Sequence, residues 1–170
     1  MNLPTEFEEI REFLGRIPSI NNGGCGYAAL ALSIVAERHK LYHQFIYAYK
    51  AHYELNYQDN MRYFETGNEE FLSGPCHIVL LVGENLIDSI TINVPAIIYK
   101  RMHPVSKQFL VKSLDKPLWN HSFNKDKYIP LIEDKLGQPL INDQWYNEEN
   151  KIINCAEEIE YLRKHFNVVY

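Results

Sequence analysis

The stretch NNGGCGYAALAL, from Asn21 to Leu32, sets one cysteine between glycines and follows it with alanine and leucine. A thiolate is the reactive form of cysteine. It is favoured where the sulfur sits at a helix N-terminus, facing N–H groups that lack an intrahelical partner. Cys25 is placed to open such a helix, and the apolar run behind it would hold the sulfur still. Gly23, Gly24 and Gly26 carry no side chain that would block a substrate backbone, and Gly24 and Gly26 permit tight, unusual backbone angles. Gly24 and Gly26 are therefore candidate substrate-binding positions. Two other readings stand beside this one. Cys25 could be a small buried hydrophobe, or the glycine-rich turn could cradle a phosphate. The second lacks the Lys-Ser/Thr ending of a Walker loop.

A nucleophilic thiol needs a base, and His77 is the candidate. It opens an apolar run after Ser73-Gly74-Pro75-Cys76. From a strand start an imidazole can reach a neighbouring element and take the thiol proton. The alternative is an inert, half-exposed histidine; none of the other six (39, 43, 52, 103, 121 and 165) sits in so suggestive a position. Asp88 would complete the set. Gly83-Glu84-Asn85 is a turn signal between HIVLLV (77–82) and LIDSITI (86–92), so the two runs read as a β-hairpin. That turn puts Asp88 nearly opposite Leu80, a few residues from His77, on one face with Leu86 and Ile90. A buried carboxylate there needs a partner and would fix the tautomer of His77. A register slip would make Ser89 or Asn93 the substitute, and an edge carboxylate in water is the alternative.

The remaining cysteines point elsewhere. Cys76 reads as a packed strand residue and Cys155 as structural. No C-x-x-C pair exists, and adjacent Cys76 and His77 cannot easily present both side chains to one metal from a strand. No metal and no cofactor are expected.

These residues need elements to position them. Residues 5–15 read as a short amphipathic helix with Phe7, Ile10 and Phe13–Leu14 on one face and Gly15 able to end it. Residues 25–40 read as a helix whose apolar first half is buried, and 44–50 as a β-prone aromatic segment. A short helix near 59–65 is expected. Strands are expected at 96–102 and 107–113. Helices are expected at 125–136, with Asn124 as N-cap, and at 154–166. Helix, strands, then helices suggest one α+β domain over 1–170 with an antiparallel sheet.

Composition narrows the function classes. With 46% hydrophobic residues and 13% aromatics, a 170-residue chain can build one core. The net charge of -5 and the absence of any Lys/Arg block longer than two argue against nucleic-acid binding and against adhesion to an anionic membrane. No run reaches the ~18 apolar residues of a membrane span. Three cysteines and a charged N-terminal segment without an apolar core lead us to expect a reducing, cytoplasmic setting.

Taken together, GGCGYAALAL followed by HIVLLVGENLIDS resembles the papain-like and transglutaminase-core cysteine enzymes, in particular small bacterial and phage members. The likeness covers residues 20–92. Those enzymes carry a cysteine opening a central helix, a histidine on a strand and an acidic or amide residue on the next strand. The pattern falls on Cys25, His77 and Asp88 in that order. The resemblance implies an α+β fold in which the helix bearing the cysteine packs on an antiparallel sheet. It also implies a thiol hydrolase of peptide, amide or isopeptide bonds, working through an acyl-enzyme on a protein or peptide substrate. A transglutaminase-like acyltransferase, or a protein-binding or inhibitory protein without turnover, are the alternatives it leaves. Two positions depart from the family pattern. Ser19 stands where papain-like enzymes carry a glutamine oxyanion donor, and Gly26 stands where an aromatic usually follows the cysteine. Asn21 or Asn22 is the replacement donor expected here, with the Cys25 backbone N–H as the second.

Overall fold

The computed structural model describes residues 3–21, 23–50, 76–89, 99–114 and 122–141. It is a mixed α+β arrangement of helices and an antiparallel sheet. Helix α1 runs Thr5–Gly15 and α2 runs Cys25–Arg38. Strands β1 (His43–Lys50), β2 (Cys76–Val82), β3 (Asn85–Ile87) and β4 (Tyr99–Val105) form one sheet in the order β3-β2-β1-β4, every pair antiparallel. Helices α3 (Lys107–Leu114) and α4 (Lys125–Leu136) follow.

The core is built around α2. Every residue from Cys25 to Ala36 is buried, as a helix that is apolar on all sides requires. Ser33 among them donates its hydroxyl to the Leu30 carbonyl at 2.7 Å. Helix α2 lies chiefly over β2 and touches α1, α3 and α4. Alternation along the strands divides their apolar residues. Phe45, Ile78, Leu80, Val82, Ile87 and Val105 join the main core with α2, while Ile46, Val79 and Leu86 form a second cluster with Leu81 packed on it. The continuous run HIVLLV is thus a strand with apolar residues on both faces. At its far end, Arg38 bonds Glu6, Gln138 and the Leu136 carbonyl, tying α2 to α1 and to the end of α4.

Several expectations agree with this arrangement. Helices over 5–15 and 125–136 have the expected bounds, and the Asn124 side chain accepts from the Lys127 N–H at 3.1 Å. Others need correction. Residues 107–114 are helical, not a strand: Leu110, Val111 and Leu114 are all buried, and their i, i+1, i+4 spacing belongs to one helix face. The last strand runs 99–105 where 96–102 was expected. It includes Pro104, which an edge strand tolerates because its free side needs no N–H donor. Gly15 is the last residue of α1, as expected, and Arg16 follows it in the right-handed region. The helices expected near 59–65 and at 154–166 lie outside the described residues, as does Cys155. Among the described residues no helix is long and apolar enough to cross a membrane.

Candidate active site

Cys25 is the first residue of α2 and is only 4% exposed. No side chain caps this helix, and the first bond of its ladder runs from the Ala28 N–H to the Gly24 carbonyl. The N–H groups of the first turn are therefore left to face whatever binds there.

The glycines around the thiol serve the protein's own packing. A Cβ at Gly24 would stand 2.6 Å from the Ile20 carbonyl oxygen and 2.9 Å from Phe123 Cγ. One at Gly26 would stand 2.6 Å from Leu114 Cδ2. Both positions are buried against the chain itself, so the expectation that they clear space for a substrate backbone is corrected. Their backbone is also ordinary, with φ −104° at Gly24 and Gly26 inside the helix. The residue that needs the left-handed region is Gly23, at φ 105°. Phe123 packs on Gly24 and lies 5.6 Å, centroid to centroid, from Tyr27. Nothing local in the sequence marks Phe123, which lies almost a hundred residues away.

His77 lies in β2, and Asp88 directly follows the neighbouring strand β3. The hairpin turns at Gly83-Glu84, with Gly83 at φ 61° in the first of the two turn positions, as a type II′ turn requires. The register pairs Val82 with Asn85 and Leu80 with Ile87. Asp88 is therefore one step further along than the spacing predicts, level with Val79 and diagonal to His77, because the turn takes two residues and not three. Diagonal neighbours are within reach of long side chains. His77 Nε2 and Asp88 Oδ2 are 3.0 Å apart, with side-chain exposures of 13% and 10%. The fallback residues fare differently: Ser89 bonds Asn21, and Asn93 lies outside the described residues.

Cys25 is the second group that acts electrostatically on His77. Burial is the largest influence on the imidazole and pulls its pKa down. The hydrogen bond to Asp88, then the influence of Cys25, more than offset it and leave His77 raised to about 9. The imidazole thus keeps its proton through neutral pH, where a free histidine has lost it. An imidazolium held between a sulfur and a carboxylate is the arrangement that stabilises a thiolate.

This bears on stability as well as reactivity. A raised histidine pKa means that the folded chain keeps a proton which the unfolded chain releases near the ordinary value of ~6.5. The contribution of His77 is then present in full below that value and is lost as pH rises through about 9. Following the His77 ring resonances by NMR should give a midpoint near 9. Asp88→Asn should move that midpoint down, because the leading cause of the rise is the hydrogen bond to Asp88. A midpoint near 6.5 in the parent chain would refute the triad geometry.

Two further residues join the site. Ser89, fully buried, donates its hydroxyl to Asn21 Oδ1 at 2.8 Å. Arg11 on α1 donates to Glu8, and its pKa is raised first by that bond, with Asp88 among the contributing charges. An amphipathic reading of α1 gives Arg11 no such role. Asn21 is exposed, and Asn22 lies outside the described residues. Among the described residues no group of three His, Cys, Asp or Glu side chains could hold a metal ion. Comparisons with protein-family models, curated proteins and solved structures find no match to this chain.

Proposed function

We propose that this chain is a thiol hydrolase of papain-like or transglutaminase-core fold, cleaving a peptide, amide or isopeptide bond through Cys25, His77 and Asp88. The observation that carries this reading is one imidazole 3.0 Å from a carboxylate and raised to about 9, with a cysteine at a helix start among the groups that raise it. The Cys25 thiolate attacks the carbonyl carbon, a C–S bond forms, and negative charge collects on the oxygen. The Cys25 N–H and the Asn21 amide are the proposed donors to that oxygen. As the C–N bond breaks, His77 gives its proton to the departing amine. Water then attacks the thioester, His77 takes a proton from it, the C–S bond breaks, and the acid leaves with the thiolate and protonated His77 restored. Asp88 holds the ring and offsets its charge. An amine in place of water would give acyl transfer through the same intermediate.

The test is trapping of that intermediate. Treated with p-nitrophenyl acetate, the chain should release p-nitrophenolate in a burst and carry an acetyl group on Cys25 by mass spectrometry. Cys25→Ala should show neither. Acetylation confined to lysines would refute the reading. The 4% exposure of Cys25 favours a second reading, a protein-binding role without turnover. Under that reading neither the acetyl ester nor iodoacetamide modifies Cys25 faster than a free thiol.

A further inference from the structure

We infer that Ser89 is a positioning residue for the oxyanion donor: its hydroxyl holds the Asn21 amide by the oxygen, which leaves the Nδ2 hydrogens as the free end presented to the charge that forms when Cys25 attacks. The inference rests on the thiol acylation proposed above. Ser89 has no exposed surface, and its bond to Asn21 joins segments 68 residues apart. An amide has one acceptor end and one donor end. The serine hydroxyl occupies the acceptor end of Asn21, and among the described residues Nδ2 has no partner.

The tether is anchored at both ends. Ser89 directly follows Asp88, which holds His77. Its carbonyl oxygen lies only 2.8 Å from where a Cβ at Gly15 would stand, so the end of α1 presses on the Ser89 backbone. Asn21 lies four residues before Cys25, in the turn where the Ile20 carbonyl closes on Gly24. One hydroxyl therefore ties the loop entering the nucleophile to the strand end that carries the acid. An exposed asparagine would otherwise sample several rotamers, whereas charge stabilisation depends on dipoles fixed before the reaction.

The test compares two reactions of the same sulfur in the full chain. Attack on p-nitrophenyl acetate forms the C–S bond through an oxyanion and expels p-nitrophenolate with the electron pair. Attack on iodoacetamide displaces iodide and forms no oxyanion. The ratio of the two rates cancels any change in thiol ionisation. Ser89→Ala should lower acylation about 10- to 100-fold, the range expected when a positioned group loosens, while alkylation keeps the parent rate. Asn21→Asp keeps an oxygen for Ser89 but replaces the donor, and should lower the ratio about 10²- to 10³-fold. If Ser89→Ala does not fold by circular dichroism, Asn21→Asp, at an exposed position, carries the test. An unchanged ratio in the folded variants overturns the inference while leaving the hydrolase reading intact. A parent chain that is not acylated at Cys25 overturns both.

Discussion

Replacing His77 with glutamine should slow alkylation of Cys25 about 100-fold at pH 6.5 and hardly at all above pH 9.5. An unassisted thiol, with a pKa of ~8.5, is only about 1% ionised at pH 6.5. In the parent chain His77 retains its proton up to about 9, and an imidazolium beside a sulfur favours its ionised form. The two rate profiles should separate most at low pH and converge once a bare thiol ionises by itself. Any hydrolysis should fall further, by about 10²- to 10⁴-fold, because the leaving amine also loses its proton donor. The measurement is the second-order rate with iodoacetamide between pH 5.5 and 9.5, read at Cys25 by mass spectrometry. Coincident profiles would mean that His77 does not control the sulfur.

The second large effect concerns Gly24. Alanine there would bring a methyl group 2.6 Å from the Ile20 carbonyl oxygen and 2.9 Å from the Phe123 ring. A backbone carbonyl cannot rotate aside as a side chain can, so the turn leading into Cys25 would have to move. We expect a loss of about 3 kcal/mol, the upper part of the range for overpacking, together with slower alkylation of Cys25. Gly26→Ala makes a useful comparison. Its methyl meets Leu114 and Leu110 side chains, which can adjust. Gly26 lies inside α2, where alanine regains about 0.5–1 kcal/mol over glycine. The net cost should be about 1 kcal/mol or less. Urea unfolding of both variants decides the matter: equal midpoints would show that the turn before Cys25 yields as easily as the Leu114 side chain.

The sequence by itself determined the elements whose signals are local. The apolar run behind Cys25 reads as a buried helix, and Gly83-Glu84-Asn85 between two apolar runs reads as a hairpin turn. These two elements, with their polar residues at Cys25, His77 and Asp88, carry the candidate site. Local pattern failed where it did not separate strand from helix: eight residues at 107–114 suit either period until Leu110 and Leu114 are seen against Gly26. It also failed by one residue at Asp88, because hairpin register depends on whether a turn spends two residues or three.

Tertiary structure alone decided the rest. Whether His77 meets Asp88 and feels the charge of Cys25 depends on how the hairpin closes and how α2 lies over β2, which no spacing along the chain encodes. The glycines beside the thiol look like open space in the sequence, but they are filled by Phe123, Leu110 and Leu114 from distant segments. Ser89 reads as a substitute partner for His77, and its bond to Asn21 shows a different one. The physical reason is common to all three cases. Secondary structure follows short-range periodicity, whereas packing clearances and side-chain bonds between segments arise only when the elements close on one another.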